Sequence, residues 1–274
     1  MNQKILKNLE NLPILNNTLI EVQKIKDNFE IGVNEIVAII EKDPMETTNL
    51  LKTINNPLYN VSNKEITNLK QAITMLGITK TFAILLNNNI HNLLKFDMRP
   101  YNTNQEDFAK LSILQSSLMR EICEGRTKET QDIAFLAALV QEIGKVIISN
   151  IIIEEEEVED FSEDIENTNN IEEIEFSYVE TNTNTITSEI LTRWGIEKKI
   201  TDLIIYSAKP EEASEDIKNI AKTLNVVKTA IPINSPLSDK SIKIALKKAE
   251  LFGLDKNRIE RAINIVKERL NKPK

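Results

Sequence analysis

The sequence predicts an all-α protein, on three observations. Apolar residues recur at three- and four-residue spacing, the period of a helix face. Six glycines and eight prolines in 274 residues are too few for the turns of an all-β architecture. Two capping-box patterns, Asp43 with Glu46 and Thr103 with Glu106, stand before apolar runs. A chain of this length buries roughly 70–75% of its unfolded surface.

Five helices are expected up to about Lys95. The first runs from Leu15 to Phe29, with Leu15, Leu19, Val22 and Ile25 on one face. The second, Val33 to Lys42, follows a break at Gly32. Asp43 caps the third, with Pro44 at its first position, and Pro57 stops it near Asn56. Thr67 is expected to cap the fourth, which Gly77 ends. The fifth starts near Thr79 and carries Phe82, Leu86, Ile90 and Leu93.

Residues 97–104 are polar and contain Pro100, which predicts a linker between an N-terminal bundle (1–96) and a second bundle (105–274). The next helix places Phe108, Leu111, Leu114 or Gln115, Leu118 and Ile122 on one stripe, and another spans about Gln131 to Glu142. The acidic run within 154–175 is expected to be a solvated loop or frayed helix, because like charges repel and stay hydrated. It lacks the spacing and central glycine of an EF-hand loop. Helices follow at Asn184–Trp194, Lys198–Ser207, Ser214–Ala230 and Asp239–Phe252, and from Asp255 to Leu270.

The net charge of −8 disfavours binding to phosphate backbones, so no nucleic-acid partner is expected. The lone cysteine, Cys123, excludes an intrachain disulfide and reads as a structural thiol. No signal-peptide pattern opens the chain, and no stretch of about 20 apolar residues suggests a membrane span. The expected location is the cytoplasm, without a membrane partner.

The most informative run is Leu136-Ala-Ala-Leu-Val-Gln-Glu-Ile-Gly-Lys145. It is similar to the run of the HD metal-dependent phosphohydrolases that ends His-Asp-Ile-Gly-Lys, with Gln141 and Glu142 at the places of the metal-holding pair. Glutamine is a poor metal ligand where imidazole is a good one. His91 is the single histidine of the chain, so no multi-histidine site is available elsewhere.

An ordered series of motifs extends the likeness. Leu12-Pro13 is followed by Ile39-Ile40-Glu41-Lys42-Asp43-Pro44, then by the run Leu50 to Tyr59. Ile66-Thr67-Asn68-Leu69 leads to Ala72-Ile73 and Leu76-Gly77. Phe135 to Leu139 leads to Ile143-Gly144-Lys145, and Leu191 to Trp194 precedes Ile200. This order, over about Leu12 to Lys209, resembles the HDOD family, HD-related output domains of bacterial signalling proteins. Asn56 and Pro57 depart from that family's usual Ser and Ala.

The resemblance implies an N-terminal helical bundle packed on an HD-like bundle. It places the vestigial metal positions at Leu111, Gln141, Glu142, Thr183, Ser207 and Ala208, none of them a histidine. No metal and no cofactor is therefore expected, and no catalysis. Lys145 and Arg193 are the candidate ligand contacts. Each position also has a plainer reading: Leu111 as core, Gln141 as a buried hydrogen-bonding residue, Lys145 as a salt-bridged lysine, Trp194 as a core anchor. Glu142 keeps a carboxylate able to hold a hard cation weakly. His91, on a helix face shared with Asn87 and Lys95, is expected at the surface.

The function expected is a non-catalytic regulatory module acting through contacts with a signalling protein. Its input would come from a separate partner or a ligand, since these residues show no receiver, kinase or cyclase pattern. A sensor that binds a nucleotide or phosphorylated small molecule without hydrolysis is the alternative, and a residual phosphodiesterase the third. Arg99 and Tyr101 are expected to border the hinge as candidate partner anchors or packed residues.

Overall fold

The computed structural model describes residues 3–28, 30–62, 64–94 and 96–271, and among them every regular element is helical. The N-terminal part comprises α1 (Gln3–Glu10), α2 (Asn17–Ile25), α3 (Val33–Ile40), α4 (Pro44–Ile54), α5 (Leu69–Leu76) and α6 (Ile78–Leu93). α1 was not anticipated; Ile5 and Leu9, one turn apart, are the residues it buries. α2 begins where Asn16 accepts the Leu19 N–H at 2.8 Å. Phe29, expected at its far end, lies outside the described residues, as does Lys95.

Asp43 caps α4 as expected, accepting the N–H groups of Met45 and Glu46. Glu46 does not return to the cap. Its side chain is buried and accepts from the amides of Asn16 (2.7 Å) and Asn89 (3.1 Å). The cap of α5 is Asn68, not Thr67: its Oδ1 accepts the Gln71 N–H, three residues on, at 2.9 Å. Gly77 ends α5 at φ +82°, and the chain turns by 112° into α6. Only glycine takes that backbone without strain.

Segment 97–104 is polar only in part. Arg99 and Asn102 are exposed, while Met98, Pro100 and Tyr101 are buried in and beside a 3-10 turn. The segment is a packed joint, not a free hinge, and Tyr101 is unavailable as a partner anchor. α7 (Gln105–Ile122) is capped by Asn104, whose Oδ1 accepts the Asp107 N–H at 3.0 Å. The expected Thr103–Glu106 box is thus displaced by one residue.

The remaining helices are α8 (Lys128–Val140), α9 (Gly144–Glu154), α10 (Val158–Asn167), α11 (Ile171–Val179), α12 (Thr183–Arg193), α13 (Lys198–Ser207), α14 (Glu215–Ala230), α15 (Asp239–Leu251) and α16 (Lys256–Leu270). After a polar first turn and a half, α8 is apolar all round from Ile133, which suits only a stretch covered on all sides. Asp132 to Val140 are all buried, and α8 packs against α6, α7, α13 and α14. Its contact with α6 joins the two halves of one continuous apolar core. The run Lys128–Glu154 is long and apolar enough to cross a membrane, contrary to the sequence reading, but 89% of its most apolar window is buried inside the protein.

Two further expectations are corrected. Of the two forms expected for the acidic run, solvated loop or frayed helix, neither holds throughout: it folds into α10 and α11, which bury Phe161, Ile165, Glu175 and Val179. His91 is not a free surface residue. Its ring is partly buried against Phe96 and Phe108 (centroids 5.9 and 5.8 Å), and burial pushes its pKa down to about 4. Trp194 is partly buried, and its indole N–H donates to the Pro13 carbonyl at 3.0 Å, tying the end of α12 to the segment before α2. Cys123 is buried, and desolvation pushes its thiol up to about 11, which suits a packed thiol.

Candidate functional site

Gly144 brings the site together. A Cβ there would fall well inside van der Waals distance of the Thr183 carbonyl oxygen and 3.0 Å from the Thr187 nitrogen. Only glycine lets α9 approach α12 this closely. The Gly144 N–H donates to Thr187 Oγ1 (2.9 Å), and that hydroxyl donates to the Gln141 carbonyl (3.1 Å). The turn between α8 and α9 is thereby bound to α12.

Lys145, the next residue, is wholly buried. Its ammonium lies 2.6 Å from Glu175 Oε1, 3.1 Å from Glu142 Oε2 and 3.0 Å from Thr183 Oγ1. The Tyr101 ring stands 5.1 Å away. Glu175 also accepts from the Tyr101 hydroxyl (3.0 Å), the Thr183 hydroxyl (2.6 Å) and the Thr183 N–H (2.7 Å). A buried charge persists only when paired and hydrogen-bonded, and here both members are. Burial, and after it the Glu175 charge, push the Tyr101 phenol well above its ordinary pKa. It acts as a donor.

Around this pair runs an amide relay. Gln115 donates to Glu142 Oε1 (3.0 Å) and to the Ile231 carbonyl (2.9 Å), and accepts from the Gln141 amide (2.9 Å). Burial alone would raise Glu142, but the Lys145 and Lys228 ammoniums and the Gln115 amide together hold it below the usual carboxylate range. Lys228 on α14 donates to Glu172 (2.9 Å) and to Asn184 Oδ1 (2.5 Å). Burial opposes its charge, and Glu172, Glu142 and Glu175 outweigh that and raise it.

These residues do not fit a metal ion. Glu142 Oε1 accepts from Gln115, and its Oε2, which accepts no hydrogen bond, faces an ammonium 3.1 Å away. A divalent cation about 4 Å from Lys145 Nζ would be repelled by about 8 kcal/mol at an effective dielectric of 20. Gln141 Oε1 is buried without a partner, and one neutral amide oxygen is no substitute for imidazole. Among the described residues no three His, Cys, Asp or Glu side chains form a metal-holding group.

Most of the sequence-derived positions converge. Gln141, Glu142, Lys145 and Thr183 share the network, Ser207 accepts from Asn184 at 3.0 Å, and Ala208 lines the adjoining cavity. Two do not. Leu111 is core, and Gln115, one turn on, is the α7 residue that reaches the centre. Arg193 is exposed at the last turn of α12, outside the network and the cavity. Sequence reasoning missed Tyr101, Glu172, Glu175, Asn184, Lys228 and Lys248. A cavity of about 360 Å³ adjoins the network, walled by Glu142, Lys145, Glu172, Lys228 and Lys248 and by the turn between α10 and α11.

A family model described as the HDOD domain matches residues 12–210. The chain belongs to the HDOD family. Among solved structures, this HDOD chain is similar to a virulence factor from Campylobacter jejuni subsp. jejuni, with 26% identity, a TM-score of 0.54 and coverage of 98% of this chain and 100% of that one. A putative phosphohydrolase from Shewanella amazonensis shares the fold at 16% identity and TM-score 0.72, covering 97% and 95% of the two chains. A putative signal transduction protein from Marinobacter aquaeolei does so at 15% and 0.69, covering 98% of this chain and 59% of that one. A search of curated protein sequences gave no significant match.

Proposed function

We propose that this HDOD chain is a non-catalytic bacterial signal-transduction module that acts through protein–protein contacts. The observation that carries the reading is the Lys145 ammonium, buried between Glu142 and Glu175 where a hydrolase of this fold would need its metal. The family, and the name given to the Marinobacter aquaeolei relative, support signalling. Residues 1–96 then serve as one bundle and 105–274 as the other. Because joint 97–104 is packed, a signal passes between them through the α6–α8 contact rather than by a swinging hinge.

The partner surface best supported is a groove of about 330 Å³ lined by Tyr59, Val61, Met75, Arg120, Phe135 and Arg269. Val61 and Met75 expose apolar surface beside arginines, the residue types that anchor interfaces. The test is cross-linked capture of a partner from native cytosol by wild type and by Met75→Asp, both checked for equal melting. A reproducible partner lost in the variant is expected. Phosphodiester hydrolysis that disappears in Glu142→Gln would overturn the reading.

A second reading, binding of a small molecule without hydrolysis, is favoured by the cavity that adjoins the closed centre.

A further inference from the structure

Lys248 on α15 differs from the other cavity lysines. Lys145 is neutralised by Glu142 and Glu175, and Lys228 by Glu172. Among the described residues the Lys248 ammonium donates only to neutral oxygens, Asn225 Oδ1 (3.1 Å) and Thr229 Oγ1 (3.0 Å). The carboxylate that acts on it from further off, Glu172, is spent on Lys228 at 2.9 Å. Burial pushes Lys248 below its ordinary value; Glu172 opposes this only from a distance and Lys228 adds to it, so no carboxylate among the described residues pairs with it directly. An ammonium has three donors. Lys248 uses two of them on Asn225 and Thr229, and Lys228 two on Glu172 and Asn184. Each keeps one N–H for a further acceptor on the cavity wall. Ile171, Ile233 and Ile244, the last one turn before Lys248 on α15, also line the cavity and give it an apolar part. Neither lysine lies in the segment that the family model matches.

The geometry points to a phosphate-monoester site in this cavity, with Lys248 as the charge anchor, Lys228 as its second donor, and the three isoleucines packing the ligand's organic part. It rests on the second reading above and names that ligand's class. The acceptor oxygens of a phosphate meet the two free N–H groups, and its charge supplies the counter-ion that Lys248 lacks.

Calorimetric titration of the full chain with inorganic phosphate and with adenosine 5′-monophosphate tests the site. Wild type, Lys248→Met and Lys243→Met are compared, Lys243 being exposed on the same helix. Wild type and Lys243→Met are expected to bind the nucleotide, and Lys248→Met to bind it about tenfold more weakly or worse. Tighter binding of the nucleotide than of phosphate assigns the apolar part its role. Without ligand, Lys248→Met is expected to melt at or above the wild-type temperature, which a structural lysine would not allow. No binding of either probe at about 10 mM, or equal binding by Lys248→Met, overturns the inference and leaves the non-catalytic reading untouched. Release of adenosine and phosphate during the titration would instead break the non-catalytic reading, whatever Lys248 does.

Discussion

Two buried glutamates in this protein meet opposite fates. Glu142, in the buried network beside Lys145, faces that ammonium at 3.1 Å and the Gln115 amide at 3.0 Å, and is held below the usual carboxylate range. Glu46, in the N-terminal half, has amide donors from Asn16 and Asn89 but, among the described residues, no ammonium in ion-pair reach; each glutamate leaves its Oε2 without a hydrogen bond, so the ammonium is what sets them apart. Burial raises its pKa, against the pull of the two amides. The difference teaches that burial alone does not set a carboxylate's charge. A cation within hydrogen-bonding reach does, and in this fold the centre supplies its own in the form of a lysine.

The comparison breaks hardest at Lys145. Lys145→Met leaves Glu142 and Glu175 buried without their cation, and about 3–5 kcal/mol of stability should be lost in denaturant unfolding. Adding Glu175→Gln should recover part of that loss, because the two changes remove one interaction. A purely additive double variant would mean that the pair is not coupled. Gly144→Ala tests the approach of α9 to α12, and its Cβ must displace backbone at Thr183. About 1–3 kcal/mol should be lost, and a neutral result would mean that the helices part without cost.

His91 extends the contrast to an imidazole. Its folded pKa of about 4 lies below the ordinary value of 6.5. The unfolded chain therefore takes up a proton as pH falls through 6.5, while the folded chain does not. Stability should fall between about pH 6.5 and 4, by at most about 1.4 kcal/mol per pH unit. His91→Phe should flatten the upper part of that limb, above the carboxylate range. An unchanged slope would place the acid sensitivity elsewhere.

The smallest effect is expected at Glu46. Its raised pKa means that its contribution is present below the unfolded value near 4.5 and lost as pH rises through the folded one. At neutral pH, Glu46→Gln should be neutral or stabilising by up to about 1 kcal/mol, whereas Glu142→Gln should destabilise. Equal effects in urea unfolding would erase the distinction between the two sites.

The sequence made the scaffold legible and half of the centre. The span of α13 was read without error, because Lys198–Ser207 has clean helical periodicity before a proline-bearing turn. Gln141, Glu142 and Lys145 lie together in one motif, so their meeting needed no tertiary information. Glu172 and Glu175 were hidden among acidic neighbours that composition treats alike. A signal existed: Glu175 stands one turn before Val179, both buried, so a charge on an apolar stripe marks an inward residue. Lys228, one turn past buried Leu224, obeys the same rule. The caps at Asn68 and Asn104 were missed by one residue, since two adjacent residue types could each close the turn and only geometry chose.

The central claim is that Lys145 takes the place a metal would need. Elemental analysis of wild-type protein purified without chelator, followed by calorimetric titration with Mn²⁺, tests it most directly. The account predicts no stoichiometric transition metal and no saturable heat from the centre. One tightly bound Fe, Mn or Zn per chain, lost in Glu142→Gln, would contradict it.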